Sequence, residues 1–138
     1  MTKDLWINLP VKDIIKSTEF FTKLGFSFNE EYGGTDDSAC LVIGEKKMVV
    51  MLFTEATFKN FAVNEIADVK LGTEVLISFD AESREEVDEM AKKVTAAGGT
   101  IYTQPNEDKG WIYGCGFVDL DGHRWSVLHM DWSKMPKK

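Results

Sequence analysis

The sequence predicts an α+β fold: two βαβββ repeats forming a curled mixed sheet with helices on the convex face. Three observations carry this. A run of period two is followed by an amphipathic helix and then by three short apolar strands. The same order returns about 70 residues later, and an internal repeat decides architecture before other signals do. The 138 residues are 43% hydrophobic and 28% charged, the balance of one ordinary folded domain and not of a disordered chain. A single domain is expected over 1–138, with repeat one at 4–54, a connection at 55–71 and repeat two at 72–131.

In the first repeat, Leu5, Ile7, Leu9 and Val11 alternate with Trp6, Asn8 and Pro10, which predicts a strand over 4–11. Asp13 is placed to cap the next helix and Gly25 to end it in a left-handed turn. Ile14, Ile15, Phe21 and Leu24 give that helix an apolar stripe. Strands follow at 27–32, 39–43 and 48–53, separated by the Gly33–Ser38 loop and a tight turn at Gly44–Lys47. Residues 55–67 read as a helical connection anchored by Phe58 and Phe61.

The second repeat opens with a strand over 73–79. Ser83 and Glu86 form a capping box. Val87, Met90, Ala91, Val94 and Ala97 then fall on one helical face, and Gly98-Gly99 stops the helix. Strands are expected at 100–103, 113–118 and 124–130, the last two joined by a hairpin whose turn dipeptide is Asp121-Gly122. The tail Lys134–Lys138 is expected to fray.

Composition excludes several classes. The formal charge of −7 argues against a nucleic-acid partner, which needs a basic patch. Apolar runs such as Met48–Phe53 fall far short of the ~20 residues of a membrane span, so no membrane partner is expected. The Met-Thr-Lys-Asp start has no basic region leading into a long apolar stretch, and a cytoplasmic location is expected. Cys40 and Cys115 are too few for a disulfide scaffold and read as reduced thiols in strands.

The order of elements, with Asn8-Leu9-Pro10-Val11-Lys12-Asp13, Ser17, Phe20-Phe21 and Leu24-Gly25-Phe26, resembles the vicinal oxygen chelate superfamily. That group contains glyoxalase I, bleomycin-resistance proteins and extradiol dioxygenases. Ser83–Asp88, Ala97-Gly98-Gly99, Tyr113-Gly114 and Asp119–Trp125 are similar to its bacterial "predicted lactoylglutathione lyase" branch. The resemblance implies four metal-ligand positions, usually His and Glu, which fall here at Trp6, Met51, Glu74 and Ser126. Only Glu74 is a good ligand for a divalent cation, whereas a catalytic zinc wants about three protein ligands. No metal site and no cofactor are therefore expected. The resemblance also implies a homodimer.

By strand parity, Trp6, Asn8, Val49, Met51, Phe53, Glu74, Leu76, Ser78, Ser126 and Leu128 face the inside of the curl. Either they line an aromatic-walled pocket or they pack the barrel shut. Glu74 is the candidate catalytic group, as a general base or the partner of a cationic ligand; the plainer alternative is a strand-end carboxylate in water or paired with a Lys or Arg. Trp111 and Tyr113, in the glycine-rich Gly110–Gly116 segment, are expected to form a lip over the pocket, or else to pack on its rim. His129 is expected to face the helices, and His123 to be structural at the hairpin exit. Two functions are carried forward. The first is a metal-free protein that binds or sequesters a small molecule, cationic or aromatic, through Trp6, Asn8, Met51, Phe53, Leu76, Trp111, Tyr113, Ser126 and Leu128. The second is a lyase of the lactoylglutathione lyase type, dependent on Ni or Zn.

Overall fold

The structure is a computed structural model that describes residues 1–137. Of the tail expected to fray, Lys138 lies outside the described residues, and Lys134 closes a 3-10 turn at Trp132–Lys134. The chain divides into two compact units, Met1–Asp68 and Val69–Lys138.

The first unit runs β1 (Ile7–Val11), α1 (Ile14–Lys23), β2 (Ser27–Gly33), β3 (Ser38–Ile43), β4 (Met48–Thr54) and α2 (Glu55–Ala62). Its four strands lie in the order β1-β4-β3-β2, with β1 parallel to β4 and the other pairs antiparallel. The Asp13 carboxylate accepts from the Lys16 amide at 3.1 Å, and Gly25 takes φ 102° beyond the helix end. The buried face of α1 is Ile14, Ser17, Phe20, Phe21 and Leu24. Ile15, expected in that stripe, is exposed, because burial follows the i, i+3, i+7 track set by Ile14 and excludes its neighbour. Leu9, Val11, Leu41, Val50 and Leu52 complete this core.

The second unit runs β5 (Leu76–Asp80), α3 (Arg84–Ala96), β6 (Thr100–Asp108), β7 (Ile112–Val118) and β8 (Arg124–Met130), in the sheet order β5-β8-β7-β6. The Ser83 hydroxyl accepts from the Glu86 amide at 3.1 Å, and the Glu86 carboxylate accepts from the Glu82 amide at 3.0 Å. Val87, Met90, Ala91 and Val94 are buried on α3, and Cys115, Phe117, Trp125 and Val127 on the strands. The Phe117 and Trp125 rings stack at 6.0 Å, and Phe79 meets both edge-on. The two βαβββ repeats of the predicted α+β class are thus both present, each with its own four-stranded mixed sheet.

Several boundaries differ from expectation. The helix expected over 55–67 ends at Ala62, where Val63 turns left-handed at φ 52° and closes it. β5 starts at Leu76, because its partner β8 begins at Arg124, directly after the hairpin turn, and offers no ladder to residues before Leu76. β1 likewise starts at Ile7, leaving Trp6 outside the strand. β6 continues to Asp108 past Pro105, since an edge strand with register shifts can take a proline out of the ladder. No helix among the described residues is long and apolar enough to cross a membrane.

Candidate functional site

Alternation sorts each sheet into a helix-facing and an open face. In the first unit, Asn8 pairs with Met51 and Pro10 with Phe53, so Asn8, Met51 and Phe53 share the open face. Phe53 is engaged there by the Phe61 ring of α2 at 5.2 Å. Trp6, just before β1, is 55% exposed.

In the second unit the open face carries Leu76 and Ser78 from β5, Arg124, Ser126 and Leu128 from β8, and Gly114 and Gly116 from β7. Ser78 and Ser126 stand opposite one another, and their hydroxyls are hydrogen-bonded. Across the next ladder Ser126 faces Gly116, and Leu128 faces Gly114. Both glycines are occupied from above. A Cβ on Gly114 would fall 2.6 Å from Leu128 Cδ2, and one on Gly116 would fall 2.6 Å from Tyr102 Cε1. Tyr102 is the extra residue of a bulge, between the pairs Ile101–Phe117 and Thr103–Gly116, and a bulge re-aims its side chain. Its ring therefore lies across β7, where the hydroxyl donates to the Trp125 carbonyl at 3.4 Å. The Arg124 guanidinium sits 4.5 Å from the ring centre. Beside this arrangement opens a cleft of about 180 Å³, walled by Tyr102, Ile112 and Leu128, floored by Gly114, Gly116 and Ser126, with Asn106 and Asp108 along β6.

The expected lip is placed differently. Gly110 belongs to the β6–β7 turn and Ile112–Gly116 is the strand itself. Tyr113 shares the helix-facing parity of Cys115 and Phe117, and its hydroxyl donates to the Asp88 carboxylate on α3 at 2.6 Å. That bond, with burial behind it, pushes the Tyr113 hydroxyl up. Arg84 stacks on the same ring at 4.9 Å and pairs with Glu107, whose carboxyl is held low by that hydrogen bond. Tyr113 is thus turned away from Ser126, because odd and even residues of β7 project to opposite faces. Trp111 meets the Trp132 ring at 5.5 Å, and its carbonyl accepts from the Asp131 amide, tying the C-terminal turn to the hairpin.

Glu74 lies at an exposed bend before β5 rather than inside a strand. His129 faces the helix side as expected, and its Nδ1 donates to the Ala81 carbonyl at 3.0 Å. At the hairpin, the buried Asp119 carboxylate accepts from Trp125 Nε1 at 3.0 Å and from the amides of Asp121 and His123. Sequence reasoning gave no role to Asp119, Tyr102 or Arg124. The one available signal was the pair Gly114 and Gly116, two apart in a strand, which marks close approach from one face.

The four positions implied for metal ligands do not fit a divalent ion. The Trp6 indole has no lone pair to give, the Met51 thioether suits soft ions, and the Ser126 hydroxyl is neutral and hydrogen-bonded to Ser78. Among the described residues no three His, Cys, Asp or Glu side chains gather as a metal-holding group.

The family model for the Glyoxalase/Bleomycin resistance protein/Dioxygenase superfamily matches residues 5–127, and the chain belongs to that superfamily. The hypothetical protein SA1046 from S. aureus is similar in structure, with 34% identity and a TM-score of 0.83 over 94% of this chain and 95% of its own. A glyoxalase/bleomycin resistance protein/dioxygenase family enzyme from Burkholderia phytofirmans PsJN shares the fold at 20% identity, with a TM-score of 0.79 over 94% and 100% of the two chains. So does the fosfomycin resistance protein FosX from Listeria monocytogenes, at 19% identity and a TM-score of 0.67 over 97% and 98%. No curated protein matches the chain.

Proposed function

We propose that this chain is a metal-free binding or sequestering protein for a small organic molecule. The single observation that carries this reading is the cleft of about 180 Å³ on the open face of the second unit. Its apolar walls and few convergent polar groups are the make-up of small-molecule sites, and its size suits one ring with short substituents. The mismatch between the implied ligand positions and a divalent ion favours binding over the nickel- or zinc-dependent lyase reading. A neighbour of the same fold is named for resistance to fosfomycin, a small molecule, which supports a protective role. Leu71, Val75 and Leu76, exposed at 86%, 53% and 53%, favour pairing of two copies of the chain, which light scattering would show as a doubled mass.

The deciding experiment joins elemental analysis of protein purified without chelators, a methylglyoxal–thiol turnover assay and thermal melts with small aromatic compounds. The expected result is no stoichiometric metal, no turnover, and a melting temperature raised by compounds that bind the native state. Nickel or zinc near one per chain, with turnover, would overturn the proposal.

A further inference from the structure

The second unit contains two arginines stacked on tyrosines, and they differ in one respect. Arg84, over Tyr113, has the Glu107 carboxylate as its ion partner. Arg124, over Tyr102, has none among the described residues. Among the described residues no hydrogen bond uses the Arg124 guanidinium, although the residue is half-buried. The open-face carboxylates Asp80 and Asp108 are exposed and make no ion pair with it. A stacked guanidinium is held by its face, so its N–H edges stay available, and these match a carboxylate or phosphonate in bidentate geometry. Arg124 and Ser126 are two apart on β8 and share the open face, while Tyr102 belongs to both the arginine stack and the cleft wall.

We propose that Arg124, held on Tyr102, receives the anionic group of the molecule seated in the cleft, which makes the ligand a small organic acid. This rests on the binding reading above. The acid's oxygens take the N–H edges of Arg124 that Glu107 takes on Arg84, the Ser126–Ser78 hydroxyl pair lies beside them, and the body of the acid fills the space over Gly114 between Tyr102 and Leu128. The overall acidity of the chain favours cationic ligands by long-range attraction, but that field is screened beyond ~8 Å at physiological salt, so the local arginine decides.

The test is amide-resolved NMR titration of the full chain with benzoate, phenylphosphonate, benzamide and benzylammonium, each to about 10 mM. The expected result is shifts at Gly114, Gly116 and Ser126, with the two anions bound about tenfold or more tighter than benzamide and benzylammonium. Arg124→Gln should remove that preference while its spectrum stays folded, and Arg124→Lys should restore part of it. If benzamide binds at the cleft as well as benzoate and Arg124→Gln changes neither, the anion assignment falls and the binding reading stands. If none of the four probes shifts the cleft amides, both fall.

Discussion

The Tyr102 ring occupies the space that a side chain on Gly116 would need: a Cβ there would fall 2.5 Å from the tyrosine oxygen. The ring cannot retreat without giving up its reach to the Trp125 carbonyl and its stack under Arg124. Gly116→Ala should therefore destabilise the protein by about 1–3 kcal/mol, the usual range for overpacking. It should also weaken benzoate binding, because the displaced ring no longer seats the arginine. Urea denaturation of Gly116→Ala, Tyr102→Ala and the double variant checks this. The alanine should be much less costly once the ring is gone, and additive effects would refute the coupling.

Asp119 is predicted to matter more than an average turn residue. Its carboxylate satisfies the indole N–H of Trp125, the largest fully buried side chain, and two turn amides. Asp119→Ala leaves those donors without their acceptor and should cost about 2–3 kcal/mol, as buried unsatisfied groups do. The measurement is the shift in urea midpoint at unchanged slope. A loss within experimental error would mean that the turn finds other acceptors.

Burial, with the Asp88 carboxylate adding to it, pushes the Cys115 thiol up to about 11. In the unfolded chain the same thiol titrates near 8.5. Between those values the native state keeps a proton that the unfolded state loses, so stability is full below about pH 8.5 and falls as pH rises toward 11. Cys40 is pushed in the same direction, chiefly by burial. Cys115→Ala should flatten the decline of the urea midpoint between about pH 8.5 and 10 relative to the unsubstituted chain. Parallel declines would show that Cys115 does not carry it.

Tyr113 separates structural from ligand-binding aromatics. Its hydroxyl bonds Asp88 on the helix side of the sheet. Tyr113→Phe should cost about 0.5–1.5 kcal/mol in thermal or urea unfolding, the net worth of one such bond. Benzoate affinity should not change. A several-fold loss of affinity without loss of stability would return Tyr113 to the ligand site.

What could be read from the residues alone was local or periodic. The Ser83–Glu86 capping box, the Asp13 cap and the Gly25 stop involve groups a few residues apart, and their chemistry is written in consecutive positions. Alternation sufficed to place Asn8 with Met51 and Phe53, and Leu76 with Ser126 and Leu128, because parity survives whatever the strand pairs with. It failed at Glu74 and Trp6, which continue the alternation but lie beyond the strand ends. It gave no direction for Trp111 and Tyr113: the strand expected at 113–118 forms, but Tyr113 projects to the helix side, and Trp111 sits in the turn before it against Trp132.

The sequence by itself determined the two βαβββ repeats, their helix caps and the two faces of each strand, since periods of 2 and 3.6 and single capping residues act over short range. Only the tertiary structure decided that Tyr102 lies across Gly116 and that Arg124 stacks on it without a carboxylate while Arg84 has one. Those relations depend on a bulge and on the register of three successive strands, and register is set by the packing of the whole sheet rather than by any one segment.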